Sequence, residues 1–264
     1  MKSRLLVAAV GVPLILLVIL WAPIMVLELM LMALTAIGAW ELMNCVGAHP
    51  DWRNGVALGA GLLVLIPRLS EGETYMPLLT IYVVLLFALA VWKAGEIKLL
   101  ETLTSLFCVV VLPYAFMSFL RLHDMGYARA FLLLPLVFSF ASDTFAFFAG
   151  LAMGKHKLAP KVSPKKTVEG AVGGLLGSAF GGVVFALVMN TWFSQSIPYV
   201  GFAVLGLFCS VVAQLGDLSF SLIKREFGIK DYGKLFLAHG GVLDRFDSVL
   251  FVAPVLAILM PYLV

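Results

Sequence analysis

Four aspartates are the residues of this sequence best suited to bind a metal ion. Asp217 follows a long apolar run, and Asp143 lies inside another one. Asp244 and Asp247 flank Arg245 three residues apart, a spacing that predicts a shared helix face. Mg²⁺ typically takes one or two carboxylates and completes its coordination with substrate phosphates. We therefore predict a Mg²⁺ site that draws on Asp217, Asp244, Asp247 and Asp143.

Structural roles are the alternative for the same carboxylates. Asp244 and Asp247 could cap the following helix, which contributes at most about 1 kcal/mol each. Asp143 could be a packed carboxylate bonded to a neighbouring helix, although an ionisable group inside a span is a functional candidate by default. Glu28 and Glu41 also lie in an apolar run, and Glu41 is near enough to its end to reach water.

Basic residues accompany the aspartates in two polar stretches, residues 154–167 and 217–246. The first holds Lys155, His156, Lys157, Lys161, Lys165 and Lys166, and the second holds Lys224, Arg225, Lys230 and Lys234. Attraction to anionic lipid headgroups, worth about 1 kcal/mol per basic residue, explains such stretches without any chemistry. Gly240 and Gly241 favour a phosphate site instead, because glycine lets the backbone approach a ligand and a helix N-terminus attracts anions. Together these features predict a reaction between two phosphorylated partners.

The composition places these residues in a membrane. Of 264 residues, 62% are hydrophobic and only 12% are charged, and the mean hydropathy is +1.06. Soluble domains carry about 25% charged residues, so a soluble enzyme, a disordered chain and a small disulfide scaffold are all excluded. The apolar runs are continuous rather than alternating, which favours helices over a β-barrel. The predicted fold is all-α, a polytopic membrane protein whose residues 1–264 form a single domain.

Scanning for runs of about 20 apolar residues predicts nine membrane spans. They lie near residues 5–21, 24–46, 55–69, 76–92, 99–120, 128–152, 168–192, 198–216 and 247–264. The third is short and Gly-rich, so eight spans and a re-entrant piece are the alternative. The first run is interpreted as a retained span, because no small-residue cleavage site follows it.

The distribution of Lys and Arg predicts the orientation. With nine spans, all but three of the 18 basic residues fall on the side of the N-terminus, and the exceptions are Arg68, Arg121 and Arg129. The positive-inside rule then places the N-terminus and both polar stretches in the cytoplasm. The short loops and isolated cysteines suit a bacterial inner membrane.

Small residues dominate the seventh predicted span. Gly173, Gly174, Gly177, Gly181 and Gly182 recur at three- and four-residue spacings, which let helices approach closely in a bilayer. We interpret them as a helix-packing surface. A phosphate cradle is the weaker alternative, because no strand–turn–helix context accompanies them.

Two motifs give the sequence a family resemblance. The run from Ser221 through Lys224-Arg225, Lys230-Asp231 and His239-Gly240-Gly241 to Asp244-Arg245-Phe-Asp247 resembles the signature of phosphatidate cytidylyltransferases, the CDP-diacylglycerol synthases. Ser163-Pro-Lys-Lys166-Thr167 resembles their upstream motif, and Ala39-Trp40-Glu41 and Ser142-Asp143 also look like family positions. One departure is Leu237, where the family usually has Pro or Gly.

The resemblance implies a reaction and a set of roles. The expected reaction converts CTP and phosphatidate into CDP-diacylglycerol and pyrophosphate, with Mg²⁺ as cofactor and a homodimer as the assembly. Asp217 and Asp244 are the expected main metal ligands, with Asp247 and Asp143 in or near the coordination sphere. Phosphate-binding and catalytic roles are expected for Lys166, Lys224, Arg225, Lys230, Asp231 and Arg245. The nucleotide site is expected to involve Ser163, His239, Gly240 and Gly241.

Other functions remain open at the level of sequence. A cation-coupled transporter would explain Asp143, Glu28 and Glu41 as sites inside the membrane, but it would not explain two charged stretches on one side. A CTP-dependent polyprenol kinase, or a cytidylyltransferase acting on another lipid phosphate, could use similar residues. An inactive paralogue is hinted at only by Leu237.

Overall fold

The structure is a computed structural model that describes residues 11, 13–69, 75–125, 129–233, 235 and 240–263. Within these described residues, residues 13–20 are helical, and nine α-helices and one hairpin follow them. They are α1 (Ile24–Cys45), α2 (Pro50–Leu69), α3 (Tyr75–Trp92), α4 (Leu99–Asp124), α5 (Leu134–Met153), β1 (Lys157–Ala159), β2 (Ser163–Thr167), α6 (Val168–Trp192), α7 (Tyr199–Glu226), α8 (Leu243–Phe246) and α9 (Val249–Leu259). Short 3-10 helices precede α5 at Arg129–Leu133 and follow α9 at Met260–Tyr262.

Six of the described helices are long and apolar enough to cross a membrane. They are α1, α3, α4, α6, α7 and the segment Arg129–Met153 that contains α5. The chain is therefore an all-α polytopic membrane protein, as predicted. The Gly-rich α2 is not among the six, and the final apolar segment, Val249–Tyr262, is shorter than they are. Residues 5–10 and 12 of the predicted first span lie outside the described part of the chain, so the total of nine spans stays a prediction.

The described residues group into two compact units, of which the first comprises residues 1–120 and 227–245. In this unit α2 lies close against α1, since a Cβ on Gly61 would be 3.0 Å from the Cβ of Ala36. The indole Nε1 of Trp52 on α2 donates a hydrogen bond of 2.9 Å to the hydroxyl of Ser105 on α4. Close helix packing and a partly buried hydrogen bond thus connect α1, α2 and α4 in this unit. The prediction of a single domain stays a prediction.

The second unit comprises residues 121–226 and 246–264, and a small hairpin joins its helices α5 and α6. Strands β1 and β2 are antiparallel, with Lys157 opposite Thr167 and Ala159 opposite Ser163. The hydroxyl of Thr167 accepts a 3.1 Å hydrogen bond from Gly170 N and so caps the start of α6. The polar stretch of residues 154–167 therefore contains an ordered hairpin that runs directly into a helix.

The glycines of α6 pack against two neighbouring helices. Gly177 leaves no room for a Cβ beside Phe145 of α5, and Gly182 leaves none beside the carbonyl of Phe202 on α7. Gly206 of α7 meets the backbone of α6 in the same way. The close approach confirms the interpretation of these glycines as a helix-packing surface.

Two element boundaries differ from the sequence prediction. α7 continues to Glu226, so Asp217 lies within this helix rather than at its end. The helix expected around Asp244 and Asp247 is broken, because α8 ends at Phe246 and α9 begins only at Val249. The expectation that the two aspartates share one helix face was wrong. The carboxylate of Asp247 instead accepts the backbone N–H of Ser248 at 2.7 Å within the turn.

Candidate functional site

Asp217 is the centre of a charged cluster in the second unit. The ammonium group of Lys166 on β2 forms an ion pair with Asp217 Oδ2. One turn along α7, the hydroxyl of Ser221 donates a 3.2 Å hydrogen bond to Asp217 Oδ1. Only about a quarter of each charged side chain is exposed, 26% for Lys166 and 24% for Asp217. Restricted contact with water makes their attraction stronger than that of a surface pair.

Asp143 and Asp247 belong to the same cluster. Asp247 interacts electrostatically with both Asp217 and Asp143, and Asp143 also interacts with Asp217. The approach of α7 to the turn before α9 depends on Gly216, where a Cβ would be 2.7 Å from the carbonyl oxygen of Asp247. Lys224 of α7 attracts Asp247. Three of the four aspartates predicted as metal ligands are therefore brought together by α5, α7 and this turn.

This cluster suits a cation that is bound partly by the substrate. Carboxylate oxygens are the ligands that a hard divalent cation prefers. Among the described residues, no three side chains of His, Cys, Asp or Glu converge closely enough to hold a metal ion by themselves. Mg²⁺ is commonly held by one or two carboxylates together with phosphate oxygens and water, so the donor set fits that cation.

Arg225 fixes the hairpin to α7. Its Nε donates a 3.2 Å hydrogen bond to the carbonyl of Val162, which lies in the turn between β1 and β2. The Lys166–Asp217 ion pair makes a second link between the same two elements. Ser163, at the start of β2, is half-buried. The hairpin thus carries the upstream motif to the face of α7 that bears Asp217.

Glu169 organises the entry to the hairpin, a role that the sequence analysis missed. Its carboxylate accepts hydrogen bonds from the backbone N–H groups of Lys155 and His156. Glu169 Oε1 also lies 2.6 Å from His156 Nδ1. An acidic residue in the first turn of a helix is a recognisable stabilising signal, but its partner thirteen residues earlier depends on the hairpin fold.

The glycine-rich motif lies in the first unit and is held by two carboxylates. Asp244 Oδ2 accepts the N–H groups of Tyr232 at 2.8 Å and of Gly241 at 2.9 Å. Gly240 has a φ of +84°, in the left-handed region that glycine tolerates. Glu41 of α1 accepts the N–H groups of Val242 and Leu243 at 3.0 and 2.9 Å. The sequence predicted that the start of this helix attracts an anion. At α8 the carboxylate of Glu41 accepts these N–H groups.

The buried position of Glu41 differs from the sequence expectation. Its place near the end of an apolar run suggested that the carboxylate reaches water. Only 2% of this residue is exposed, so the carboxylate is buried instead. Its position inside an otherwise apolar span was the signal that it has a specific partner. That partner lies about 200 residues away in sequence, which no local pattern reveals.

The remaining predicted residues have the following positions. Lys230 and Asp231 are exposed in the segment before Tyr232, and Arg245 is exposed on α8. His239, Lys234 and Leu237 lie outside the described part of the chain. Asp244 belongs to the first unit, whereas the other three predicted metal ligands belong to the second. The roles assigned to all these residues stay predictions.

Comparisons with known proteins agree with the motifs. The family model described as "Cytidylyltransferase family" matches residues 2–263. A phosphatidate cytidylyltransferase of Bacillus subtilis (strain 168) is 35% identical over 196 residues, which cover 72% of this chain and 70% of that protein. A protein of the same name from Staphylococcus saprophyticus is 33% identical, and the match covers 78% of this chain and 78% of that protein. Another from Thermotoga maritima is 31% identical, and the match covers 84% of this chain and 83% of that protein. This chain therefore belongs to the cytidylyltransferase family.

Proposed function

We propose that this protein is the enzyme that forms CDP-diacylglycerol from CTP and phosphatidate in phospholipid biosynthesis. Pyrophosphate is the second product. Membership of the family, with relatives named for this activity, supports the assignment. The observation on this chain that carries it is the Asp217 cluster, in which carboxylates and lysines of two motifs face one another.

The reaction is a nucleotidyl transfer with in-line geometry. An oxygen of the phosphatidate phosphate forms a bond to the α-phosphorus of CTP, while the bond from this phosphorus to the oxygen bridging to the β-phosphate breaks. Pyrophosphate leaves with that bridging oxygen and its electron pair. No general base is required, because a phosphate monoester is already ionised near neutral pH.

Charge repulsion is the main barrier that the protein must reduce. Both reactants are anions, and positioned cations lower the energy of bringing them together. We assign this role to Lys166, Lys224, Arg225 and Lys230, and we place Asp231 and Arg245 beside them as motif residues. Ser163, Gly240, Gly241 and His239 are proposed to shape the nucleotide site.

The proposed metal is Mg²⁺, which when bound would neutralise phosphate charge. Asp217 is proposed as a ligand, with Asp143 and Asp247 within electrostatic reach of it. Asp244 is proposed as a ligand from the sequence motif alone. In the second unit the Lys166 ammonium offsets the charge of Asp217 and keeps its carboxylate oriented.

The proposed setting is a bacterial inner membrane, with the N-terminus and the two polar stretches in the cytoplasm. Phosphatidate is a membrane lipid and CTP is a soluble nucleotide, so the reaction requires a site at the membrane surface. The bias of Lys and Arg supports this orientation. A homodimer is proposed from the family resemblance.

Product analysis tests the proposal directly. Purified full-length protein in detergent is incubated with CTP, phosphatidate and Mg²⁺, and lipid products are identified by mass spectrometry while pyrophosphate release is measured. We expect CDP-diacylglycerol and pyrophosphate in equal amounts only when all three components are present. Folded protein that makes neither product would refute the proposal.

A further inference from the structure

A carboxylate outside the charged cluster fixes the glycine-rich motif. Glu41 lies on α1 and is buried, with 2% of its surface exposed. Its Oε1 accepts the N–H of Val242, and its Oε2 accepts the N–H of Leu243. These are N–H groups at the start of α8, where no carbonyl of the same helix is available to accept them.

The surroundings of Glu41 are built to accommodate this contact. A Cβ on Gly241 or on Gly233 would overlap the Glu41 carboxylate, so a side chain at either position would displace this carboxylate. Two charge-assisted hydrogen bonds reduce the cost of burying the carboxylate. The absence of side chains at Gly233 and Gly241 therefore leaves the space that the Glu41 carboxylate occupies.

We propose that Glu41 is a positioning residue for the reaction, acting through the segment 241–244. It holds the backbone of Val242 and Leu243, and the neighbouring Gly241 N–H in turn donates to Asp244. Glu41 therefore acts on Asp244 through the backbone of this segment. The catalytic part of this inference rests on the proposed function, and the structural part does not.

The first test measures how well the backbone N–H groups at residues 241–243 are protected from exchange with water. Hydrogen–deuterium exchange of the substrate-free, full-length protein is compared for wild type, Glu41→Gln and Glu28→Gln. Glutamine keeps the size of Glu41 but presents an NH₂ group to one of the two N–H donors. We expect faster exchange at residues 241–243 in Glu41→Gln, and wild-type exchange there in Glu28→Gln, which alters a buried glutamate on the same helix.

The second test measures the Mg²⁺ dependence of turnover. Loss of a residue that orients a metal ligand typically costs about 10–100-fold in metal affinity or activity. We therefore expect Glu41→Gln to raise the Mg²⁺ concentration for half-maximal activity about tenfold or more. Glu41→Asp keeps the charge but is too short to reach both N–H groups, so it should show the same shift and serves as the second variant if Glu41→Gln does not fold.

The outcomes separate this inference from the proposed function. Unchanged exchange at residues 241–243 in the Glu41 variants would show that Glu41 does not hold this backbone. An equal change in Glu28→Gln would show the same. Faster exchange with an unchanged Mg²⁺ requirement and turnover would overturn the positioning role. A wild-type protein without cytidylyltransferase activity would refute the proposed function, while the exchange experiment would still test whether Glu41 holds the backbone of Val242 and Leu243.

Discussion

At the scale of single residues, Asp217 is the carboxylate on which the proposed chemistry depends most. Its carboxylate accepts a hydrogen bond from the Ser221 hydroxyl and forms an ion pair with Lys166. It also interacts electrostatically with Asp143 and Asp247. Asp217→Asn removes the charge but keeps the shape. We expect kcat to fall by about 100-fold or more, in line with the loss of one electrostatic contact in an active site.

Asp51→Asn is the matched control for that substitution. Asp51 is an exposed carboxylate in the first turn of α2, so its neutralisation should leave turnover within about twofold of wild type. Both variants are measured under saturating Mg²⁺, CTP and phosphatidate. Turnover by Asp217→Asn at the rate of the control would exclude Asp217 from the reaction.

Two adjacent lysines on β2 give a second test at this scale. Side chains alternate between the faces of a strand, and accordingly Lys166 pairs with Asp217 while Lys165 is exposed. Lys166→Gln should raise the KM for CTP about tenfold, the value of one charge-assisted hydrogen bond. Lys165→Gln should leave the KM close to that of wild type, and equal effects of the two substitutions would contradict the assignment.

The residue types of the candidate site could be predicted from sequence, but the partners could not. Aspartates and lysines in and beside the two polar stretches predicted a phosphate reaction, because carboxylates can hold a metal ion and lysines can bind phosphate groups. Which lysine meets Asp217 depends on the strand register of the hairpin. The hydrogen bond between Glu41 and the backbone of Val242 joins residues 201 positions apart in the sequence. Hydrophobic periodicity reports only on local structure and does not predict such a contact.

At the scale of elements, the packing of α6 against α7 relies on small residues. A methyl group at Gly182 would overlap the carbonyl of Phe202, a backbone atom that cannot move aside cheaply. Gly182→Ala should lower the free energy of unfolding by about 1–3 kcal/mol, the usual cost of overpacking. Denaturation of the purified protein in an SDS titration measures this change.

Gly55→Ala is the control for the packing prediction. Nothing lies within 4 Å of a Cβ at this position of α2, and alanine favours a helix by about 1 kcal/mol over glycine. The control should therefore be neutral or slightly stabilising. Equal destabilisation by both substitutions would show that the α6–α7 contact is not the cause.

Helix positions followed from hydrophobicity, whereas irregular elements did not. Long apolar runs predicted where most of the long helices lie, because only hydrogen-bonded helices satisfy the backbone in a bilayer. The end of α7 was missed, since this helix continues to Glu226 and the predicted span ends at residue 216. The hairpin escaped prediction because Lys157–Ala159 and Ser163–Thr167 are too short and too basic to show an alternating pattern. The break before α9 arises from the turn at Asp247 and Ser248, which the spacing of charges did not reveal.

At the scale of the whole molecule, the orientation in the membrane can be measured with single cysteines. Lys161 is in the polar stretch predicted to be cytoplasmic, and Gln195 is in the exposed loop after α6, predicted to be on the opposite side. After Cys45, Cys108 and Cys209 are replaced, an impermeant maleimide applied to intact cells should label Gln195→Cys but not Lys161→Cys. Permeabilised cells should show both labels, and the reverse pattern in intact cells would contradict the predicted topology.

The central claim, that the CTP α-phosphoryl group is transferred to a lipid phosphate, is tested most directly by the position of the label. Purified protein is given [α-³²P]CTP or [γ-³²P]CTP in parallel, with phosphatidate and Mg²⁺ each present or omitted. We predict label in the organic phase only from the α position, only with both additions, and at a much lower rate with Asp217→Asn. Lipid labelled from the γ position would instead identify a kinase, and would contradict the proposed cytidylyl transfer.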